Sequence, residues 1–122
     1  MRGNKTGSGP DGKGSEAERA AAHKAGILKA LAHPIRVTIF EALAEREMTV
    51  GQLVDLMGTK EANTSRHLAV MRSAGLVSAR KDGLNVYYSV KMPCLVSVLD
   101  CLDEAVCVIA DEHRAMAACI KR

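Results

Sequence analysis

The chain has 122 residues, a length that suits a single domain, and its formal net charge is +3. One Phe, two Tyr and no Trp leave few of the aromatic platforms that hold single-stranded nucleic acid. No apolar run approaches the roughly 18 residues of a membrane-spanning helix, and the first residues lack the apolar core of a signal peptide. We therefore expect a cytoplasmic protein with reduced cysteines and no membrane partner.

The charge is divided between the middle and the end of the chain. Positions 60–91 hold six cationic side chains and two acidic ones, whereas positions 94–120 hold five acidic residues and one arginine. A cationic surface beside an acidic one fits a polyanion on one side only. Taken alone, the same pattern is equally typical of a solvated helix beside a hairpin, so a motif must decide between them.

The first residues differ in composition from the rest. Residues 1–15 hold five glycines and one proline with almost no apolar side chain, which predicts a disordered tail. Residues 16–122 are predicted to form the folded domain, because apolar side chains recur there at regular spacing.

Five segments of this domain have helical spacing. Pro34 suits the first turn of a helix, and Thr49 with Gln52 forms a Thr-x-x-Gln capping box. Gly75 follows the fourth segment as a C-cap glycine. The predicted helices span residues 16–33, 34–46, 49–57, 61–74 and 94–120.

After the fourth helix the hydrophobic period changes to two. Residues 76–81 and 84–90 are predicted strands around an Asp82-Gly83 turn. Two helices joined by a tight glycine-containing turn and followed by a basic hairpin are the parts of a winged helix-turn-helix. We therefore predict a mainly α fold with a small β-hairpin, in the order α-α-α-α-β-β-α.

Polar side chains fill the first half of the fourth predicted helix, the element that enters the DNA major groove in such a fold. Asn pairs well with adenine, Arg with guanine or phosphate, and hydroxyl groups suit either. Cations near the hairpin tip suit the phosphate backbone. The candidate DNA contacts are Lys60, Asn63, Thr64, Ser65, Arg66 and His67 on the helix, and Arg80 and Lys81 on the hairpin.

Three segments resemble a known family. Residues 28–40 (LKALAHPIRVTIF) are similar to the second-helix signature of the ArsR/SmtB family of metal- and redox-responsive repressors. Residues 64–77 (TSRHLAVMRSAGLV) and 83–88 (GLNVYY) resemble the recognition helix and wing of that family. The resemblance implies a homodimer joined through its first and last helices, bound to a palindromic double-stranded operator and released by an inducer.

The sequence departs from the family at the start of the recognition helix. Family members often begin it with Ser-Gln-(Ser/Pro)-Thr-Val-Ser, whereas residues 60–65 here are KEANTS. Glu61 places an anion where a polyanion is expected, so the operator sequence stays open.

The metal sites that the family resemblance would imply are incomplete. The Cys-x-Cys that family members often carry on the helix before the turn is missing from the matching residues 47–55. The last-helix zinc pattern keeps Asp100 and His113 but has Leu102 and Met116 in the other two ligand positions. Two ligands do not complete a tetrahedral zinc site, so no obligatory cofactor is expected.

All four cysteines lie near the end of the chain, at positions 94, 101, 107 and 119. On one straight helix Cys94 and Cys101 stand about 10 Å apart along the axis, too far for one ion. The thiols would meet if Cys94 lay in a loop and folded back, or if two last helices packed in a dimer. We expect Cys94 and Cys101, with Cys107 as a further candidate, to sense a thiol-reactive inducer.

Soft thiolates select soft ligands, and the resemblance permits arsenite (As(III)), antimonite (Sb(III)) or another soft metal ion such as cadmium or lead as the inducer. The alternative is a repressor that senses oxidants or reactive sulfur through Cys94 and Cys101. A second alternative is an interaction module that does not bind DNA.

Catalysis is not expected. The four histidines are scattered at positions 23, 33, 67 and 113, and no nucleophile elbow, phosphate-binding loop or close carboxylate pair accompanies them. The chain is therefore predicted not to be an enzyme.

Overall fold

The computed structural model describes residues 15–113, and this part of the chain forms helices and one two-stranded antiparallel hairpin. The order confirms the predicted fold class. The predicted tail over residues 1–14, the predicted helical residues 114–120 and Cys119 lie outside the described residues. The elements are α1 (Glu16–Leu31), α2 (Pro34–Glu45), α3 (Val50–Met57), α4 (Glu61–Ser73), β1 (Val77–Asp82), β2 (Asn85–Val90) and α5 (Cys94–His113).

Reciprocal side-chain caps start two of the helices. The Thr49 hydroxyl accepts from the Gln52 N–H at 3.1 Å, and the Gln52 side-chain oxygen accepts from the Thr49 N–H at 2.9 Å, as the predicted capping box requires. Ser15 and Glu18 make the same pair of bonds at the start of α1. The prediction that the tail includes Ser15 is wrong, because the side chain of this residue caps the first helix.

The core is built around α2, where Phe40 is fully buried among aliphatic side chains. Apolar spacing predicts an inner face of Ile35, Ile39, Phe40 and Leu43 on α2, and the last three are buried while Ile35 is partly buried. Leu56 of α3 has the spacing of an inward residue but is 61% exposed. With one Phe and no Trp, the core is formed mainly by aliphatic side chains and methionine that pack closely around Phe40. The fully buried apolar residues with it are Ile39, Leu53, Leu68, Met71 and Leu76.

The hairpin differs by one position from its prediction. Asp82 pairs with Asn85 across the strands, so the loop is Gly83-Leu84 rather than Asp82-Gly83. Gly83 has φ of +67°, a left-handed conformation that glycine adopts without a Cβ clash. Leu84 at the tip is fully exposed.

A backbone bridge ties the hairpin to the helical body. Met48, just before α3, donates its N–H to the Tyr88 carbonyl at 3.1 Å, and the Tyr88 N–H returns a bond to the Met48 carbonyl at 2.8 Å. The hairpin is therefore held beside the helix-turn-helix, since an isolated two-stranded hairpin is only marginally stable in water.

The first and last helices leave apolar side chains uncovered. In α1 only the last turn is buried within the described residues, at Ala30 and Leu31, and Leu28 is 56% exposed. In α5 Leu99 and Ala110 are buried while most other large apolar residues are exposed. No helix in residues 15–113 is both long and apolar enough to cross a membrane.

Candidate nucleic-acid interface

The fourth helix, α4, has one face in the core and one face outside. Thr64, Leu68 and Met71 are fully buried, one helical turn apart, while Ser65 and Arg66 are exposed. The buried face fixes the helix against α3 across the turn that begins at the left-handed Gly58 (φ +71°). Packing thus presents the polar first half of α4 on the surface.

Thr64 does not belong to the exposed set. Its side chain is fully buried, and its hydroxyl oxygen lies 2.7 Å from that of Thr59. The prediction that Thr64 contacts DNA is wrong, because the side chain of this threonine points into the core and joins α4 to the preceding turn.

The other polar residues at the start of α4 remain accessible. Lys60 is the N-cap residue, and its exposed side chain makes no capping hydrogen bond. Arg66 donates to the Asn63 side-chain oxygen at 3.1 Å, one turn earlier on the same face. Ser65 is exposed. These four residues present two cations, an amide and a hydroxyl, a set that suits base edges and phosphates.

His67 is half-buried and already bonded. Its Nδ1 accepts a hydrogen bond from the Nε of Arg36 at 3.0 Å, and its ring centroid lies 4.4 Å from that of His33. Burial, then the nearby charges of His33, Arg36 and Arg66, lower the pKa of His67 below its usual value. The imidazole is therefore neutral at pH 7, with Nδ1 as an acceptor.

The two hairpin cations have different surroundings. Lys81 is exposed. Arg80 lies two cross-strand pairs before the turn, where Glu47 binds it through Nε at 2.9 Å and Nη2 at 2.6 Å. The guanidinium carbon of Arg80 also lies 4.9 Å from the ring centroid of Tyr87, and its Nη1 lies 3.6 Å from Oδ2 of a second carboxylate, Asp82. The contact lowers the pKa of Glu47 and raises that of Arg80, so both stay charged.

Acidic residues of α5 gather beside α2. Partial burial raises the pKa of Glu41, and the carboxylates of Asp103 and Asp100 raise it further. This edge of the molecule repels a polyanion, so the cationic side chains of α4 and of the hairpin form the face that suits DNA.

The three described cysteines are free thiols spread along α5. Cys94 and Cys101 are exposed, and Cys107 is half-buried. The helix begins at Cys94, so the alternative in which Cys94 lies in a loop and folds back is wrong. Within the described residues no three His, Cys, Asp or Glu side chains gather closely enough to hold a metal ion.

Two residues of this region were not anticipated from the sequence. Glu47 binds an arginine 33 positions away, and nothing in the local pattern indicates that pairing. Arg36 does carry a signal. Arg36 is a cation in the first turn of an apolar helix, where the helix dipole disfavours positive charge. This position indicates that its side chain has a hydrogen-bond partner outside α2.

Comparisons with known proteins agree with this geometry. A family model described as the arsR family of bacterial regulatory proteins matches residues 33–79. The HTH-type regulator Rv0081 of Mycobacterium tuberculosis is 43% identical over 77 residues, which cover 62% of this chain and 68% of that protein. Its crystal structure has a TM-score of 0.69 at 35% identity, with 83% of this chain and 100% of that chain covered.

Two further proteins extend the match. The nodulation protein NolR of Rhizobium meliloti is 36% identical over 95 residues, 78% of this chain and 75% of that protein. The homodimeric winged helix-turn-helix domain of Mb0332 from Mycobacterium bovis has a TM-score of 0.67 at 27% identity, with 90% of this chain and 98% of that chain covered. These matches confirm the predicted family, the fold and the absence of an enzymatic role. The chain belongs to the ArsR family of bacterial regulatory proteins, and it is a winged helix-turn-helix DNA-binding transcription regulator rather than an enzyme.

Proposed function

We propose that the protein is a homodimeric transcriptional repressor that binds a palindromic duplex and is released from it by a thiol-reactive inducer. The observation that carries the DNA-binding part is the division of α4 into a fully buried face and an exposed polar one. The proposed base and phosphate contacts of α4 are Lys60, Asn63, Ser65 and Arg66.

The hairpin is proposed to contact the sugar-phosphate backbone beside the recognition helix. Lys81 is exposed and available for a phosphate. Arg80 is joined to Glu47, so a phosphate must compete with that carboxylate for the guanidinium group. The hairpin therefore offers DNA one cation, Lys81, that is free to bind a phosphate. The other, Arg80, binds a phosphate only if DNA displaces Glu47 from it.

A second copy of the chain is the proposed partner of the exposed apolar helices. Val98, Leu102, Val106 and Ile109 lie within about 80° of one another around α5 and are 42%, 52%, 50% and 52% exposed. An apolar stripe of this kind is typical of a helix that packs against a neighbour. A two-fold dimer repeats α4 at two half-sites about 34 Å apart, one turn of DNA, and the two-fold symmetry favours a palindromic duplex.

The inducer is proposed to act on Cys94 and Cys101, with Cys107 as a further thiol. Cys94 and Cys101 lie about 20° apart around α5, at the edge of the apolar stripe, so that packing of two helices would bring thiols of both protomers together. Arsenite or antimonite, which prefer soft thiolate ligands, would bind across such a seam. A reactive sulfur species or an oxidant is the second candidate, because it needs only one exposed thiol.

The proposed mechanism is a shift between two dimer shapes. The inducer binds better to a shape in which the two recognition helices no longer match successive major grooves. A coupling of about 3 kcal/mol between the two sites would weaken DNA binding roughly a hundredfold.

The DNA-binding part is tested with a duplex that the full chain selects from a randomised pool. A repressor with several phosphate contacts should lose affinity steeply with rising salt. If the chain selects no duplex at low salt, the interaction-module alternative stands instead.

The inducer is tested on that complex with arsenite, antimonite and polysulfide. We expect release of the wild type, and retention of DNA by Cys94→Ser and Cys101→Ser, while Cys107→Ser reports on the third thiol. Mass spectrometry distinguishes one metalloid per dimer from sulfur added to single thiols. Normal release of both serine variants by every effector would contradict the sensing proposal but not the DNA-binding one.

A further inference from the structure

The side chain of Arg36 joins three helices. Its Nε donates to Nδ1 of His67 on α4 at 3.0 Å, and its Nη1 donates to the Ala30 carbonyl on α1 at 3.2 Å. Arg36 itself belongs to the first turn of α2. The last carbonyls of a helix lack partners within the helix, so the guanidinium group satisfies the end of α1 while it holds the middle of α4.

His33 completes the cluster from the linker between α1 and α2. Its Nδ1 accepts from the Ile35 N–H at 3.1 Å and so caps α2, while its ring is tilted 46° against that of His67. The N-cap of α2, the end of α1 and the middle of α4 therefore meet at one place.

The same place anchors α1 to the rest of the chain. Among the described residues of α1 only Ala30 and Leu31 are buried, at 8% and 6% exposure, and in the turn before them Ile27 is partly buried against the core. The most buried turn of α1 is thus the one whose carbonyl Arg36 binds, and a rotation of α1 relative to α4 would strain that hydrogen bond.

We propose that Arg36 and His67 are positioning residues that set the angle between α1 and the recognition helix, and so the distance between the two recognition helices of the dimer. His67, in this role, does not read a base. The inference rests on the proposed function, in which α1 contributes to the dimer.

The hydrogen bond requires a specific protonation state of His67. Nδ1 accepts only while the imidazole is neutral, since a proton there would face the guanidinium group of Arg36. The charged groups around the imidazole are those of His33, Arg36 and Arg66, and all of them favour the neutral form.

The test measures DNA affinity for Arg36→Gln, His67→Leu and the double variant in the full chain. The probes are a duplex that the wild type selects from a randomised pool and a scrambled duplex of the same composition. Arg46→Gln is the matched control, because it removes the same charge from the exposed residue that follows α2.

Each single variant is expected to lose about tenfold in affinity for the selected duplex, the effect of one charge-assisted hydrogen bond. The double variant should lose no more than the worse single variant, because both remove the same contact. The scrambled duplex and the salt dependence should be unaffected, since neither side chain is proposed to contact a phosphate. His67→Asn, which keeps an acceptor near the Nδ1 position, should restore most of the affinity.

Three results would overturn the proposal: additive losses in the double variant, a salt dependence shallower by about one phosphate contact, or equal losses on both probes. Failure of His67→Asn to recover would do the same, and this variant also controls for misfolding of His67→Leu. If the wild type selects no duplex, the proposed function fails together with this inference. If the wild type selects one and both single variants bind it as well as Arg46→Gln does, only this inference fails.

Discussion

Glu47 binds the guanidinium group of Arg80 and so reduces the availability of this hairpin cation for DNA. Both side chains of the Glu47–Arg80 pair are more than a third exposed (40% and 53%), so the pair adds little to the stability of the fold. Its consequence lies in binding, because the carboxylate occupies the two guanidinium donors that a phosphate would use.

Glu47→Gln should therefore strengthen duplex binding without a change in stability. We expect about a threefold gain in affinity and a salt dependence steeper by about one phosphate contact, because Arg80 becomes free to bind the backbone. Fluorescence anisotropy over a salt series measures both. Glu45→Gln removes an exposed carboxylate nearby with no bond to Arg80 and should bind as the wild type does. An unchanged salt dependence for Glu47→Gln would show that Arg80 makes no phosphate contact.

His67 makes stability depend on pH. Burial and the charges of His33, Arg36 and Arg66 lower its pKa in the folded chain below the ordinary 6.5. Below that value the unfolded chain binds the proton before the folded chain does, so the contribution is complete above pH 6.5 and is lost as the pH falls.

We expect the wild type to lose more unfolding free energy than His67→Asn between about pH 7.5 and about pH 5.5, an interval that spans the ordinary histidine pKa. Urea denaturation at each pH measures it, and the difference reports on His67 together with its contact to His33, whose ring lies 4.4 Å away. Equal losses in the two chains would contradict a lowered pKa at this residue.

At the scale of elements, the local chemistry of helix ends was visible in the sequence. The Thr49–Gln52 box and the glycines at positions 58 and 75 stop and start helices through groups a few residues apart, and the structure has all of them. The hairpin was anticipated, but its loop is one residue further along than predicted. The cross-strand register decides the loop, and Val77 at the start of β1 is buried where β1 meets the core.

Gly51 within α3 and Gly58 at its C-cap are in opposite situations. Gly58 has φ of +71° and any Cβ there strains the backbone, whereas a Cβ on Gly51 would meet only the Thr49 hydroxyl at 3.8 Å. Gly58→Ala should lower the unfolding free energy by about 1 kcal/mol, and Gly51→Ala should raise it by about 0.5 kcal/mol. Thermal or urea unfolding measures both. A gain for Gly58→Ala would mean that the end of α3 does not adopt the left-handed conformation.

At the scale of the whole molecule, α1 and α5 leave more apolar surface exposed than a lone domain needs. Leu102 lies within the exposed stripe of α5 and is 52% exposed. A charge placed there would be buried without a partner in a dimer, and this is strongly unfavourable.

Leu102→Glu should therefore convert the protein into a folded monomer. The affinity for a two-site duplex should fall by at least about a hundredfold, because the second half-site no longer adds to the first. Analytical ultracentrifugation and DNA titration measure the two effects. Glu104→Gln, about 160° away around α5, should remain a dimer. A dimer of unchanged stability with Leu102→Glu would place the interface elsewhere.

The helices and strands, their order and the polar start of the recognition helix follow from the local sequence, because spacing, caps and turns act between residues close in the chain. Which of the polar residues face outward depends instead on tertiary packing. Thr64 was expected at the surface and is buried, while Arg36 and Glu47 contact partners 31 and 33 positions away. Such contacts depend on how helices pack, and packing is determined by the whole core rather than by any local run of residues.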